Sequence, residues 1–408
     1  MTNHPAHFGE TAPPPASSWG AVFALTLCVS TLVAAEFMPV SLLTPMAADL
    51  HLTEGQAGQA ISVSGVFAVF TALFIAKISQ GIDRRALLLA LTGLMLLSGV
   101  IATFAPNFPI LLIGRALLGV VIGGFWSMSA ATVIRLVPEK DVSRGLAVLN
   151  GGNALATTLA APLGSFFGQY IGWRGAFFAI VPLAAATLLW LFATLPSMPG
   201  RSGERVAGPI GVLLRPNVAW GMAAVALFFM GQFTLFTYLR PFLETVTGVE
   251  GAMLSAMLLV LGVAGLVGTY VIGGIVETHL YRLLVALPLA MAVIAIALVA
   301  TGTSAPVVTA LLAAWGLLGT AAPVAWWTWL SKTLPDDAEA GGGLMVAVVQ
   351  IAITAGAAGG GLLFDATGYE ATFTLGAAIL GLSALVAFLG WRAVAGERAR
   401  ADTLSPSY

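Results

Sequence analysis

Twelve runs of apolar residues, each near the ~20 residues that a helix needs to cross hydrocarbon, constrain this chain more than any motif does. They lie near 19–45, 56–80, 86–104, 109–134, 144–169, 175–195, 218–243, 252–276, 282–301, 306–331, 342–364 and 371–393. Inside a bilayer no water is available to the peptide groups, so only helices or closed barrels can span it. Runs of this length predict helices. The expected fold is therefore an all-α membrane protein of twelve transmembrane helices. Composition agrees, with 59% hydrophobic and only 9% charged residues, against about 25% charged in soluble domains.

The longest polar gap, PSMPGRSGERVAGPIGVLLRPN at 196–217, separates six runs from six. The expected organisation is a disordered cytoplasmic tail over 1–18, a six-helix bundle over 19–195, a cytoplasmic linker over 196–217, a second six-helix bundle over 218–393 and a cytoplasmic tail over 394–408. Basic residues orient it, because cytoplasmic loops are enriched in Lys and Arg. With both termini inside, Lys77, Arg84, Arg85, Arg135, Lys140, Arg144, Arg201, Arg205, Arg215, Arg282, Lys332, Arg392, Arg398 and Arg400 fall on the cytoplasmic side. Only Arg115, Arg174 and Arg240 are left over.

The halves echo each other at a spacing near 200 residues: LLG at 117–119 and 317–319, Trp126 and Trp326, LVPEK at 136–140 and TLPDD at 333–337. Such a repeat is expected of a transporter built from two pseudo-symmetric bundles, with substrate held between them near the midplane.

Several classes are disfavoured. Basic and acidic residues nearly balance, 17 against 18, so nothing points to nucleic acid. A lone cysteine, Cys28, excludes an intramolecular disulfide and a cysteine metal cluster. His4, His7, His51 and His279 all map to the tail or loops, so no deep Ser–His dyad or metal site is expected. The chain should not be an enzyme and should need no cofactor or metal. A sensor would be expected to carry a sizeable soluble output domain, and the largest gap is about 22 residues.

Within the spans one acid lies well away from either surface: Glu36, in AAEFMPVSLLTPM, in a run without any basic residue. A charge there costs at least about 2.5–3.5 kcal/mol, which makes an intramembrane Glu a functional candidate. Arg115 shares its depth. The pair is expected to carry proton coupling, against the plainer alternative that Arg115 bonds backbone carbonyls. Trp126 follows Arg115 by three helical turns, and the repeat carries that pattern to Trp315 and Trp326. These indoles, with the amides and hydroxyl of Asn153, Gln232, Gln350 and Thr354, are candidates for binding a flat, hydroxylated substrate. The competing reading for each is an interfacial Trp or interhelical glue.

The segments EFMPVSLLTPMAADL, LLIGRALLGVVIGGFWSMSAATVIRLVP, APLGSFFGQYIGWR and FTYLRP resemble the purine ribonucleoside efflux pumps of the drug:proton antiporter branch of the major facilitator superfamily. The resemblance runs in order from about Trp19 to the last span. It implies the major facilitator fold and alternating access. It further implies antiport of protons against purine nucleosides such as inosine or guanosine; placement in a bacterial inner membrane and a monomeric state are expected. A broad drug or sugar exporter is the alternative. The family's loop G-K-L-A-D-R-x-G-R-R appears here as AKISQGIDRR, keeping Lys77, Arg84 and Arg85 but placing Gln80 at the usual Asp and Asp83 at the usual Gly. The cytoplasmic gate is expected to use Lys77, Asp83, Arg84 and Arg85. In the fifth span the antiporter signature G-P-x-x-G reads Ala161-Pro162-Leu163-Gly164-Ser165, without its first glycine.

Overall fold

The computed structural model describes residues 18–78, 81–199, 209–335 and 337–404. The tail before Ser18, residues 200–208 of the linker and the side chain of Lys77 lie outside the described parts. Among the described residues there is no strand.

The helices are α1 (Trp19–Leu50), α2 (Glu54–Ile78), α3 (Arg84–Thr103), α4 (Phe108–Leu136), α5 (Val142–Thr194), the short α6 (Pro209–Leu213), α7 (Pro216–Phe236), α8 (Leu239–Thr245), α9 (Gly251–Gly273), α10 (Val276–Thr301), α11 (Ala305–Thr333), α12 (Ala338–Thr367) and α13 (Tyr369–Leu404). Among the described residues, eleven stretches are long and apolar enough to span a membrane, α7 and α8 together making one of them. The chain is a multi-pass membrane protein.

The eleven stretches contain twelve passes, because α5 is a hairpin. A straight helix of 53 residues would run about 80 Å, far beyond the ~30 Å of hydrocarbon. Gly172 breaks it, with φ 72° and ψ 167°, a conformation that a side chain would oppose. Before the break Ser30 of α1 donates to the Gly152 carbonyl at 3.0 Å. After it Trp173 donates to Asp49 at 3.2 Å, and Thr31 meets Thr187 at 3.4 Å. The two arms of α5 thus run along α1 in opposite directions.

With that hairpin the chain crosses back and forth, and both described chain ends lie at one end of the bundle. The turns at 51–53, 104–107, 172, 246–250, 302–304 and 368 lie at the other; these are called the termini end and the turn end. The core is divided in the same way as the chain. One buried cluster draws on residues from Ala21 to Met198, and a second runs from Val212 to Leu380 with Ala161 added. Two smaller apolar clusters bridge the halves, Val40 and Ile61 with Phe233, Ile353 and Ala357, and Leu43, Ala47 and Ala57 with Tyr238, and the seam also collects polar groups.

Candidate functional site

Two prolines in α1 set up the site. A proline inside a helix has no N–H to give the carbonyl four residues earlier, so that acceptor is left open. Pro39 and Pro45 therefore free the carbonyls of Ala35 and Ser41. Both are taken by arginines. Arg115 of α4 donates from Nη1 to Ala35 O at 2.7 Å, and Arg240 of α8 donates to Ser41 O from the opposite half of the molecule.

Arg115 is 1% exposed and uses its whole planar fork. Besides Ala35 it donates from Nε to Ala60 O at 2.9 Å, from Nη2 to Glu36 O at 3.2 Å and from Nη2 to Ser64 Oγ at 3.0 Å. A buried guanidinium stays charged, and each donor pointed at a carbonyl offsets its desolvation. Arg115 is a clamp joining α1, α2 and α4. Its contact with Glu36 is to the backbone carbonyl, and the two side chains form no ion pair.

Glu36 is 7% exposed. Its Oε1 accepts a hydrogen bond from Gln350 Nε2 of α12 at 3.1 Å, and Gln350 Oε1 is buried without a partner. The carboxylate therefore sits on the seam, joined to the other half through an amide. Nearer the turn end, Ser62 Oγ donates to Thr354 O and Thr354 Oγ1 to Ser62 O, at 3.3 and 3.4 Å. This close approach needs Gly65, where a Cβ would lie 2.0 Å from Thr354 Oγ1.

The remaining bonds across the seam continue toward the turn end. Asp365 accepts from Thr53 Oγ1 at 2.6 Å and from Gly55 N at 2.9 Å, while Ser255 donates to Ser165 at 3.0 Å. Glu244 Oε1 holds the Arg240 guanidinium at 2.8 Å. Beside it a polar vestibule of about 660 Å³ is lined by Thr44, Ser165, Gln169, Arg240, Glu244 and Glu250 among others. Between described residues, every hydrogen bond joining the halves lies from the Glu36 level to the turn end. The molecule is closed there.

The other candidate residues divide between halves. Trp315 and Trp326 are 1% and 2% exposed and belong to the core of the second half; Trp326 packs edge-on against Trp329 at 6.0 Å. Trp315 Nε1 and Gln232 Oε1 are both buried without partners; Gln232 of α7 approaches α11, the helix that carries Trp315, since a Cβ at Gly319 would meet Gln232 Nε2 at 3.0 Å. Trp126 and Asn153 are half-buried in the first half. At the termini end Asp83 caps α3, accepting from Arg85 N at 2.7 Å, and also accepts from Ser197 Oγ and from Met198 N at 3.0 Å. Those bonds hold its carboxyl below the usual carboxylate range, the Ser197 hydroxyl contributing most. Arg84 donates its backbone N–H to Met198 O at 3.0 Å, and Arg85 donates to Phe192 O at 2.8 Å while its guanidinium lies 5.4 Å from the Phe192 ring centroid. These described contacts of the loop stay within the first half.

The prolines were the signal that sequence reading left unused. Ser41, Ser62 and Arg240 join the polar seam, and Ser64 holds Arg115 inside the first half, none of them having been singled out. Pro39 and Pro45 in an apolar run announce two open carbonyls, although not which donors will fill them.

Comparison with known proteins is consistent with this architecture. The chain is 53% identical to the transcription regulatory protein OpdE of Pseudomonas aeruginosa, over 97% of this chain and 99% of that one. It is 41% identical to the purine ribonucleoside efflux pump NepI of Salmonella typhimurium, over 90% of this chain and 93% of that one. Among solved structures, a bacterial homologue of the human lysosomal transporter Spinster, inward-facing and unoccupied, superposes with a TM-score of 0.77 at 16% identity, covering 94% of this chain and 98% of that one. A D-xylose–proton symporter does so at 0.70 and 16% identity, covering 91% and 97%. Residues 23–356 match the Major Facilitator Superfamily model; with twelve passes in two halves and a polar seam between them, the chain belongs to that superfamily and is a transporter, not an enzyme.

Proposed function

We propose that this transporter exports purine ribonucleosides in exchange for protons by alternating access, from a bacterial inner membrane with both termini in the cytoplasm. The observation that carries the reading is Glu36, a carboxylate at mid-span that touches the other half through Gln350. An acid at that place can exchange a proton only with the side to which the seam is open, which is the requirement for coupling. The termini end is the cytoplasmic one by its basic residues. The conformation described is then shut toward the outside.

The substrate class rests on the 41% identical efflux pump. It is supported by the unpartnered Trp315 Nε1 donor and Gln232 Oε1 acceptor, which match the mixed donor and acceptor edge of a purine. Trp126 and Trp326 supply ring faces, and Asn153 and Thr354 supply ribose contacts. Lys77, Asp83, Arg84 and Arg85 would close the cytoplasmic end in the alternate state. The protein acts as a monomer.

The regulatory name of the 53% identical relative raises a second reading, a membrane sensor. The match covers 99% of that relative, so the relative shares the same multi-pass body and the assay that separates the two readings is one of transport. The deciding experiment loads proteoliposomes with labelled inosine, guanosine, arabinose or a lipophilic cation under an imposed pH gradient. Gradient-dependent movement of the nucleosides is expected; movement of the sugar or the cation alone would select the broader exporter.

A further inference from the structure

Gln350 is held against Glu36 by one of its two amide atoms. Its Nε2 donates to Glu36 Oε1 at 3.1 Å, while its own Oε1 is buried without a partner. A carboxylate has no hydrogen to offer that oxygen, and brings a second negative oxygen toward it. A carboxylic acid is different. With a proton on Oε2, Glu36 donates to Gln350 Oε1 while still accepting from Nε2, and the two groups close into a ring with two hydrogen bonds. We infer that Gln350 is the positioning residue through which the proton on Glu36 sets the conformational equilibrium, the protonated acid making a two-point pair across the seam and the carboxylate a one-point contact.

This rests on the reading of Glu36 as the exchanged-proton site and adds the means by which the other half responds. The proton comes from water on the open side and returns to water, with no covalent change elsewhere. Gln350 lies 314 residues from Glu36 in the chain and on the opposite half, so the pair exists only while the seam is closed at this level. Protonation therefore favours the state closed at the turn end, and deprotonation releases it. An antiporter needs this order, since its empty carrier must return inward with the proton aboard.

Among the described residues no other ionisable group is bonded to the pair, and Tyr238, just after α7, donates to Ala357 O instead. Arg115 of α4 is the charged group presented to Glu36, and it is spent on Ala35, Glu36 and Ala60 carbonyls and Ser64. The ionisable residues of α2, α3 and α12 sit at or near helix ends, and those of α5 sit at its start or beside the Gly172 break. On α8, Arg240 and Glu244 pair with each other. On α1 itself there remain Cys28, two turns toward the termini end, and Asp49, which is bonded to Arg174.

The test places spin labels at Phe104→Cys and Ser304→Cys, on the turn end of each half, in a Cys28→Ala background of the full-length protein in nanodiscs. The distance distribution is then read across pH. For a single proton the closed-to-open ratio should rise as pH falls, by at most about tenfold per unit. Glu36→Gln, whose amide can make the same two-point pair, should remain closed at every pH. In Gln350→Met the infrared carboxylic-acid band lost in Glu36→Gln should still titrate, while the distances no longer follow pH; Gln350→Asn, too short to reach, should behave alike and guards against a misfolded Met variant. A pH response surviving in both Gln350 variants overturns the inference and leaves Glu36 as the proton site. A response surviving in Glu36→Gln overturns both, and closure favoured at high pH overturns the two-point pair.

Discussion

Arg240 donates to the Ser41 carbonyl, the acceptor that Pro45 leaves without its helical donor, and so a guanidinium of one half plugs a defect in a helix of the other. Hydrogen bonds to charged groups contribute about 1.5–3 kcal/mol, enough to set which end of the molecule is closed. Arg240→Ala should raise labelling of a cysteine placed in the turn-end vestibule by an order of magnitude. Pro45→Ala, which restores an internal donor to Ser41, should have the same direction and a smaller size. Labelling unchanged in both would show that the bond does not bias the gate.

Arg115 has a different duty, since its four bonds stay inside the first half. Removing it leaves the Ala35 carbonyl buried and unpaired, at a cost of about 1–3 kcal/mol, besides the lost clamp. Arg115→Ala should lower the thermal midpoint in detergent by several degrees, and Arg115→Lys, with a single point charge for the fork, should recover only part. A variant as stable as the parent would assign Arg115 to transport chemistry instead.

On the proposed exchange, Glu36 sets a limit on the stoichiometry: one deep acid would exchange at most one proton per neutral nucleoside, so each cycle would move one net charge. About 2.3 kcal/mol per 100 mV and about 1.4 kcal/mol per pH unit then both act on accumulation. Glu36→Gln should abolish gradient-driven accumulation while leaving binding measurable. The reversal potential of flux in proteoliposomes is the check, and a value fitting two protons would refute the single-carrier scheme.

Substrate recognition is testable at Trp315 and Gln232. Base–aromatic stacking is worth about 1–3 kcal/mol, so Trp315→Ala or Trp326→Ala should weaken nucleoside binding roughly 5- to 150-fold if a ring meets the base. Trp315→Phe keeps the ring and loses only the N–H. Calorimetric binding by folded variants, unchanged for all three, would remove the indoles from the site and leave them as core.

The Asp83 cap makes a pH-dependent prediction. Its carboxyl is held below the ordinary range by Ser197, Met198 and Arg85, so its contribution is present above the unfolded carboxylate value and is lost as pH falls through the lower folded value. Amide protection at residues 85 and 198, taken relative to the intrinsic exchange rate at each pH, should be high near neutrality and fall in acid. Asp83→Ala should show little protection at both; equal protection in parent and variant would contradict the cap.

What could be read from the chain differs by kind of interaction. The passes around Gly172 were legible as two apolar runs, 144–169 and 175–195, because each needs only its own length and composition. The depth of Glu36 was legible for the same reason. Its partner is not legible: Arg115 shares its depth, yet the carboxylate reaches the Gln350 amide and the guanidinium reaches backbone.

Hydrophobic length is a local property that adds along a helix, so sequence alone determined that this chain spans a membrane twelve times in two matched halves with one acid at depth. Pairing of polar groups at a seam depends instead on which helix faces are brought within about 3 Å. Only the tertiary packing decided that Pro39 and Pro45 would open α1 to Arg115 and Arg240, and that Glu36 would face an amide across the seam, since a hydrogen bond falls off within an ångström while the fold brings together residues that the chain keeps 314 positions apart.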